Sequence, residues 1–328
     1  MHMNILTGVT QGVINDAKVL KVALHTLGYN GVIQLKQPAS FNLKKRYPLI
    51  WHRLSKKLIG KANVNFHIES MREAWIDQAI NNVWLPNPEC VADQIMKVGH
   101  KSNCIFCKTS HTHFILNENG FENLIYTGFT SLDRRDANCV KDFSKYLHIM
   151  GQSHFKGTKP LIDVWSKHPE WPELTILATE TPWNDIGWLR GLSHKNIHLI
   201  EGPVSEDKII ELQNTAGIHL CPSEAEGFGH YIVEALSVGA VVLTTNAPPM
   251  NEHIDESHGV LVDYQDTEKK NMGILYKVNK DSLENRLIEL ISLDNSMLDE
   301  MSKKARRKYE VITKSFYLNL KKWLDKKF

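Results

Sequence analysis

The sequence lacks any apolar run that approaches the roughly 20 residues needed to cross a bilayer. Its start has no basic segment followed by an apolar one, so we expect no signal peptide. Cysteines are few, five in 328 residues, and their odd number and irregular spacing do not indicate a disulfide framework. These absences lead us to expect a soluble, cytoplasmic protein whose thiols stay reduced.

Spacings typical of metal sites are also missing. Cys104 and Cys107 form a C-x-x-C pattern, but they lie in an apolar strand-like segment and no second pair follows. Alternation along a strand points residues three apart to opposite faces. His111 and His113 have no partner at ligand spacing. We therefore expect no metal site.

The composition is that of a globular protein, with 42% hydrophobic and 23% charged residues. The length predicts about two domains. The net charge of +2 is uneven: residues 1–143 carry 17 basic against 11 acidic side chains, residues 144–302 carry 12 against 24, and residues 303–328 carry 10 against 2. This asymmetry indicates a face that meets an anionic partner, either lipid or nucleic acid, although solubility explains it equally well.

Short apolar strand-like runs alternate with amphipathic segments of helical length, which is the pattern of parallel α/β layers. One predicted helix spans Arg72–Asn81. We predict two doubly wound α/β domains, residues 1–133 and 144–310, joined by a polar linker at 134–143 and followed by a basic helix at 311–328. Domains of this kind bind ligands in a cleft at the carboxyl ends of their strands.

The most informative segment is a strand that ends in a polar turn and leads at once into a helix. The turn contains Gly227, Phe228 and Gly229, and its glycines let backbone N–H groups approach a ligand where the helix starts. Glu226 lies in the turn and Glu234 lies about one turn into the helix. Such a pair of carboxylates can accept hydrogen bonds from sugar or ribose hydroxyls. Taken singly, the two glutamates and the glycine turn also fit an ordinary helix N-terminus surrounded by charged side chains.

The whole segment resembles the E-x(7)-E signature of retaining GT-B glycosyltransferases of the family-4 type, here from Glu226 to Glu234. The resemblance implies that Glu226 faces the donor sugar and that Glu234 holds the nucleotide ribose. It also implies that the glycine turn and His230 lie near the sugar and diphosphate. The fold it implies is α/β, with two Rossmann-like doubly wound domains facing across a cleft and a C-terminal helix that crosses back to the first domain.

A second likeness lies upstream, where a strand is followed by Gly151, Gln152 and Lys156. The family has an Arg just after the glycine and a Lys a few residues on. Lys156 matches this Lys, whereas Gln152 stands in place of the Arg and removes one charge. The resemblance implies that Lys156 stabilises the leaving diphosphate without a metal. The Asp-x-Asp motif, which holds a metal in the other large glycosyltransferase fold, occurs nowhere in the sequence.

The first domain resembles the family more loosely. Gly8 and Gly12 flank the turn after the first strand, where such enzymes have a glycine-rich loop that contacts the acceptor or the donor phosphate. His67 lies near the end of another strand, and we expect it to bond the donor sugar or position an acceptor hydroxyl; a structural histidine is the alternative. Lys108, at a further strand end, is a candidate for phosphate contact.

The predicted function is transfer of a sugar from a nucleotide-diphosphate sugar to a glycan, lipid-linked or other hydroxyl acceptor, with retention and without a cofactor. Two alternatives stay open: a GT-B binding protein without transfer activity, and a GT-B nucleotide-sugar epimerase.

Peripheral contact with an anionic membrane is suggested by two segments rich in basic and aromatic or apolar residues. They are residues 44–59 and the tail with Phe316, Tyr317, Leu318, Trp323 and Leu324. Nucleic acid is not favoured, because no base-reading module is visible.

Overall fold

The structure, a computed structural model, describes residues 1–35, 61–181, 184–191 and 194–328. The chain divides into two compact units, the first comprising Met1–Gly128 with Ser315–Phe328 and the second Phe129–Lys314. The linker expected at 134–143 therefore falls inside the second unit, and its last two residues begin a strand. The basic and aromatic segment at 44–59 lies outside the described residues.

The first unit is built on six parallel strands. They are β1 (Met3–Thr7), β2 (Gly31–Leu35), β3 (Ala62–Ile68), β4 (Ala79–Leu85), β5 (Cys104–Cys107) and β6 (Leu124–Tyr126). The helices of its described part are α1 (Gln11–Thr26), α2 (Glu73–Ile76), α3 (Asp93–Gly99) and α4 (Ser110–Glu118). The strands lie in the order β2-β1-β3-β4-β5-β6, so the order reverses between β1 and β3. Ligands of doubly wound sheets bind at such a switch point.

One predicted helix of the first unit is wrong. The segment Arg72–Asn81 forms only the single turn α2, and the chain enters β4 at Ala79. The reason is tertiary pairing: β4 runs parallel to β3, and the Asn81 side-chain amide donates to the Asn63 carbonyl at 3.2 Å. Pairing in the sheet overrides the weak local preference for helix.

The second unit has its own sheet of six parallel strands. They are β7 (Asp142–Gly151), β8 (Glu173–Ala178), β9 (Ile197–Glu201), β10 (Ala216–Cys221), β11 (Val241–Thr245) and β12 (Gly259–Val262). Their order is β9-β8-β7-β10-β11-β12, with the switch point between β7 and β10. Every residue of β10 and β11 is buried, as expected for central parallel strands covered on both faces.

Helices and one hairpin complete the second unit. Its described helices are α5 (Thr158–Trp165), α6 (Gly187–Arg190), α7 (Glu206–Thr215), α8 (His230–Ser237), α9 (Lys280–Ser292) and α10 (Asn295–Lys327), whose last residues belong to the first unit. An antiparallel hairpin, β13 (Tyr264–Lys270) with β14 (Gly273–Val278), stands apart from the large sheet. Neither α7 nor this hairpin is predicted from the sequence.

The end of α10 packs on the first unit. The Trp323 ring centre lies 6.0 Å from that of Phe66 and 5.0 Å from that of Phe106, and Phe316 and Leu324 are buried. Most apolar tail residues considered for lipid contact are therefore packed within the protein, while the neighbouring lysines stay exposed. In the part of the chain that the structure describes, no helix is both long and apolar enough to span a membrane. Contact of the exposed cations with an anionic membrane stays a prediction.

Burial disfavours the charged form of three histidines among those buried in the second unit: His148, His219 and His253. His148 is bonded on both ring nitrogens. Its Nδ1 donates to the Leu220 carbonyl at 2.7 Å, so its Nε2 accepts from the Thr158 hydroxyl at 2.8 Å. Burial lowers the pKa of His148 and of His253 to about 4, and that of His219 to about 3.

These histidines predict a loss of stability in mild acid. Their pKa values are lower in the folded chain than in the unfolded one, where they are near 6.5, so the unfolded state binds more protons below that pH. The stabilising contribution is complete above pH 6.5 and is lost as the pH falls toward 4. Each histidine changes the unfolding free energy by about 1.4 kcal/mol per pH unit in this window.

Urea unfolding followed by tryptophan fluorescence at pH 7.5, 6 and 5 measures this slope. We expect His148→Gln and His219→Gln each to reduce this slope by about 1.4 kcal/mol per pH unit, because one proton fewer is bound on unfolding. An unfolding free energy that stays constant between pH 7.5 and 5 in the unsubstituted protein would contradict the prediction.

Candidate active site

Two loops meet at the carboxyl ends of β7 and β10, the strands at the switch point of the second sheet. We call residues 152–157 the β7 loop and residues 222–229 the β10 loop. The Glu224 N–H donates to the Phe155 carbonyl at 2.8 Å. Gly157 has a φ of +67°, and a Cβ there would lie 1.9 Å from the Pro222 carbonyl oxygen. Glycine is therefore required for the two loops to approach this closely.

Lys156 of the β7 loop and Glu226 of the β10 loop form an ion pair. Lys156 Nζ lies 2.5 Å from Glu226 Oε1, and the two side chains are 17% and 10% exposed. The Ser223 hydroxyl donates to the same carboxylate oxygen at 2.5 Å. No described residue bonds the other oxygen, Oε2. The carboxylate is thus held in place while keeping one acceptor for a ligand hydroxyl.

Tyr231, in the first turn of α8, lies against this pair. Lys156 Nζ is 3.8 Å from the centre of its ring, within range of a cation–π interaction. The Tyr231 hydroxyl lies 2.5 Å from Ser223 Oγ. Because the Ser223 proton points to Glu226, Tyr231 donates to Ser223. Burial raises the pKa of Tyr231 well above its usual 10, which keeps this donor protonated.

The Gly227–Gly229 turn of the β10 loop is held by the packing of aromatic side chains. The Phe228 ring is buried, with its centre 5.4 Å from that of Phe129 and 4.9 Å from that of His253. His253 Nε2 donates to the Phe228 carbonyl at 2.6 Å. Gly229 then opens α8 with a φ of +94° and no side-chain cap. An uncapped helix start of this kind suits an anionic ligand group.

The three other residues of the predicted donor site differ in their contacts. His230, half-buried at the start of α8, has its Nδ1 2.8 Å from the Ser131 hydroxyl oxygen. Gly151 ends β7 with a φ of +56°, and the Gln152 side chain that follows is exposed. Gln152 makes no hydrogen bond to a described residue, so it takes no part in the Lys156–Glu226 network.

Glu234 is only 7% exposed and is already paired. Arg134 Nη2 lies 3.2 Å from its Oε1, and Gln213 Nε2 donates to its Oε2 at 3.2 Å. Arg134 Nη1 also donates to Gln213 Oε1 at 3.3 Å. A ribose bound at Glu234 would therefore join a network that contains an arginine. Arg134 is not predicted as a site residue from the sequence, because it lies in the segment interpreted as a polar linker.

The histidine and lysine candidates of the first unit are enclosed. His67 is fully buried, with Nε2 2.9 Å from Asn82 Oδ1. Lys108 is buried as well, with Nζ 2.9 Å from Asp16 Oδ2 and donating to Asn87 at 2.5 Å. Neither side chain is presented to solvent, which favours structural roles over contact with a substrate. Lys108 would have to leave both of these partners and its enclosed position before it could meet a phosphate.

The two glycines predicted to contact a ligand in the first unit follow β1, which borders the switch point of its sheet. Gly8 directly follows β1, and Gly12 lies in the first turn of α1, where it is exposed. Thr10 precedes this helix without making a side-chain cap bond.

The two cysteines of the C-x-x-C pattern, Cys104 and Cys107, are buried free thiols. Across the described ranges, no group of three or more His, Cys, Asp or Glu side chains is arranged to hold a metal ion.

Residues 190–308 match the family model of the group 1 glycosyl transferases. The matched segment includes Glu226 and Glu234 but begins after Lys156. A search of curated proteins finds no significant match. The chain is thus similar to the group 1 glycosyl transferases over residues 190–308, and its two doubly wound sheets have the architecture of GT-B glycosyltransferases.

Solved structures share this fold over the whole chain. A glycosyltransferase from Rickettsia africae is 16% identical with a TM-score of 0.71, the alignment covering 99% of this chain and 98% of that one. Sucrose-phosphate synthase from Thermosynechococcus elongatus is 12% identical with a TM-score of 0.71, covering 99% of both chains. An Anabaena protein in complex with UDP and glucose is 13% identical with a TM-score of 0.69, again covering 99% of both.

Proposed function

We propose that the protein transfers a sugar from a nucleotide-diphosphate sugar to a hydroxyl acceptor and binds the donor on its second unit. The observation that carries the proposal is the Lys156–Glu226 pair beside the uncapped start of α8. A cation and a helix start suit a diphosphate, and a carboxylate with one unbonded oxygen suits sugar hydroxyls. The family match over residues 190–308 supports this assignment.

Each group of the donor has a matching group in the site. The diphosphate lies between Lys156 and the start of α8, and the sugar lies against the Gly227–Gly229 turn with a hydroxyl donating to Glu226 Oε2. The ribose hydroxyls lie at Glu234. When the donor binds, Lys156 exchanges its contact with Glu226 Oε1 for phosphate oxygens, while Oε1 keeps its bond from Ser223 and Oε2 accepts from the sugar.

The reaction proposed is front-face transfer with retention, as the resemblance implies. The bond between the anomeric carbon and the phosphate oxygen breaks, and the acceptor oxygen bonds the same carbon from the same face. The acceptor proton passes to the leaving phosphate. Lys156 stabilises the charge that develops on the diphosphate, so the proposal requires no metal. Glu226 orients the sugar, and the first unit binds the acceptor near Gly8 and Gly12.

The test is product analysis by proton NMR with UDP-, GDP-, ADP- and dTDP-sugars, in EDTA and in magnesium. We expect release of one nucleoside diphosphate in both conditions and a product whose anomeric configuration is that of the donor. Donor binding without turnover on any acceptor would favour the binding-protein alternative. A change of configuration at a ring carbon with the nucleotide still attached would favour the epimerase.

A further inference from the structure

The β13–β14 hairpin lies between β12 and α9 and adds no strand to the sheet that carries the candidate site. All seven residues of β13 are exposed, whereas β14 buries Leu275 and Tyr276. The two strands pair along their length, and the ring centres of Tyr264 and Tyr276 lie 5.1 Å apart. The hairpin therefore has one outer strand in solvent and one inner strand against the body of the unit.

The inner strand contacts the β10 loop, and the outer strand contacts the β7 loop. The Tyr276 N–H donates to the Glu224 carbonyl at 2.7 Å. Lys277 Nζ lies 3.5 Å from Glu224 Oε2 and 3.6 Å from Glu268 Oε2 on β13. Lys270 Nζ, at the end of β13, lies 5.2 Å from the centre of the Phe155 ring. Both loops that form the candidate site are thus held by the hairpin.

Glu224 is the point at which the three segments join. Its N–H donates to Phe155, its carbonyl accepts from Tyr276, and its largely buried carboxylate pairs with Lys277. Glu224 lies two residues before Glu226, and Phe155 directly precedes Lys156. A shift of Glu224 therefore changes the positions of both members of the Lys156–Glu226 pair.

We propose that the hairpin positions the β7 and β10 loops for catalysis and that the Lys277–Glu224 ion pair is its positioning contact. This inference rests on the proposed function of the same site. Lys277 acts through Glu224 rather than on the donor. Its loss therefore lowers kcat, because small displacements of reacting groups reduce rates strongly, and changes the donor KM little.

The test compares Lys277→Met, Lys277→Arg and Glu224→Gln with Lys269→Met as the control. Lys269 lies on the exposed strand of the same hairpin, opposite Ile274 of β14. We expect kcat to fall about tenfold in Lys277→Met and Glu224→Gln, with the donor KM changed less than about threefold. Lys277→Arg restores the charge and most of kcat, and Lys269→Met behaves as the unsubstituted protein.

Amide hydrogen exchange supplies a readout that does not depend on turnover. We expect exchange over residues 153–157 and 222–229 to become faster in Lys277→Met and to stay unchanged in Lys269→Met. If the unsubstituted protein turns over no donor, the proposed function fails and exchange decides whether the hairpin orders the loops. Unchanged exchange in Lys277→Met, or a raised KM with unchanged kcat, would overturn the inference.

Discussion

Replacing Glu226 with glutamine is expected to lower kcat by about 10²-fold or more, with the protein still folded. Glutamine keeps the size of the side chain, but it replaces one carboxylate oxygen with a donor and removes the charge that pairs with Lys156 at 2.5 Å. The sugar is then oriented less well against the leaving group. Initial rates of nucleoside diphosphate release, with the donor varied, measure the effect on kcat and KM separately.

Glu256→Gln provides the control for this substitution. Glu256 is an exposed glutamate of the same unit, paired with Arg286 on the surface, and we expect its loss to leave both constants unchanged. Full turnover in Glu226→Gln would show that this carboxylate does not orient the sugar, and the assignment of the β10 loop would be wrong.

Replacing Lys156 with alanine is expected to weaken donor binding and to lower kcat by about 10²- to 10³-fold. The lysine supplies the positive charge that meets the diphosphate both before and during departure of the leaving group. Gln152, which follows β7 in place of a second cation, is exposed and uncharged and cannot compensate. Steady-state kinetics and donor titration of the same variant measure the two effects.

Lys159→Ala is the matched control, because Lys159 lies one turn away in α5 and is 73% exposed. We expect it to retain activity. Since Lys156 and Glu226 are in contact, the double variant should lose less than the product of the two single losses. Two results would argue against a shared site. One is a double variant whose loss equals the product of the two single losses, and the other is a Lys156→Ala variant that is as active as Lys159→Ala.

The fold could be predicted largely because many strands of its two large sheets contain short apolar runs. The fully buried β10 and β11 stand out in the sequence, and turns and helices separate such strands at regular spacing. The hairpin could not be predicted in this way, because β13 is exposed on both faces and carries no apolar alternation. The wrong helix at Arg72–Asn81 has a different origin, because β4 is a strand through its pairing with β3, and the sequence alone does not show that pairing.

The sequence could predict those residues of the candidate site that follow a strand or belong to the Glu226–Glu234 segment. Lys156 and Glu226 meet because β7 and β10 are neighbours, and their ends lie at the same edge of the sheet. Arg134 could not be foreseen, since it reaches Glu234 from a distant segment. The burial of His67 and Lys108 depends on Asn82 and Asp16, partners that the sequence does not connect to them.

The measurement that tests the central claim most directly is calorimetric titration with UDP-, GDP-, ADP- and dTDP-sugars in EDTA. It uses the unsubstituted protein, Lys156→Ala and Glu234→Gln, a replacement that keeps the side-chain size beside Arg134. We predict that sugars of one nucleotide bind the unsubstituted protein without metal and bind both variants more weakly. Binding that is equally tight in both variants, or no binding of any donor, would contradict a donor site at the switch point of the second sheet.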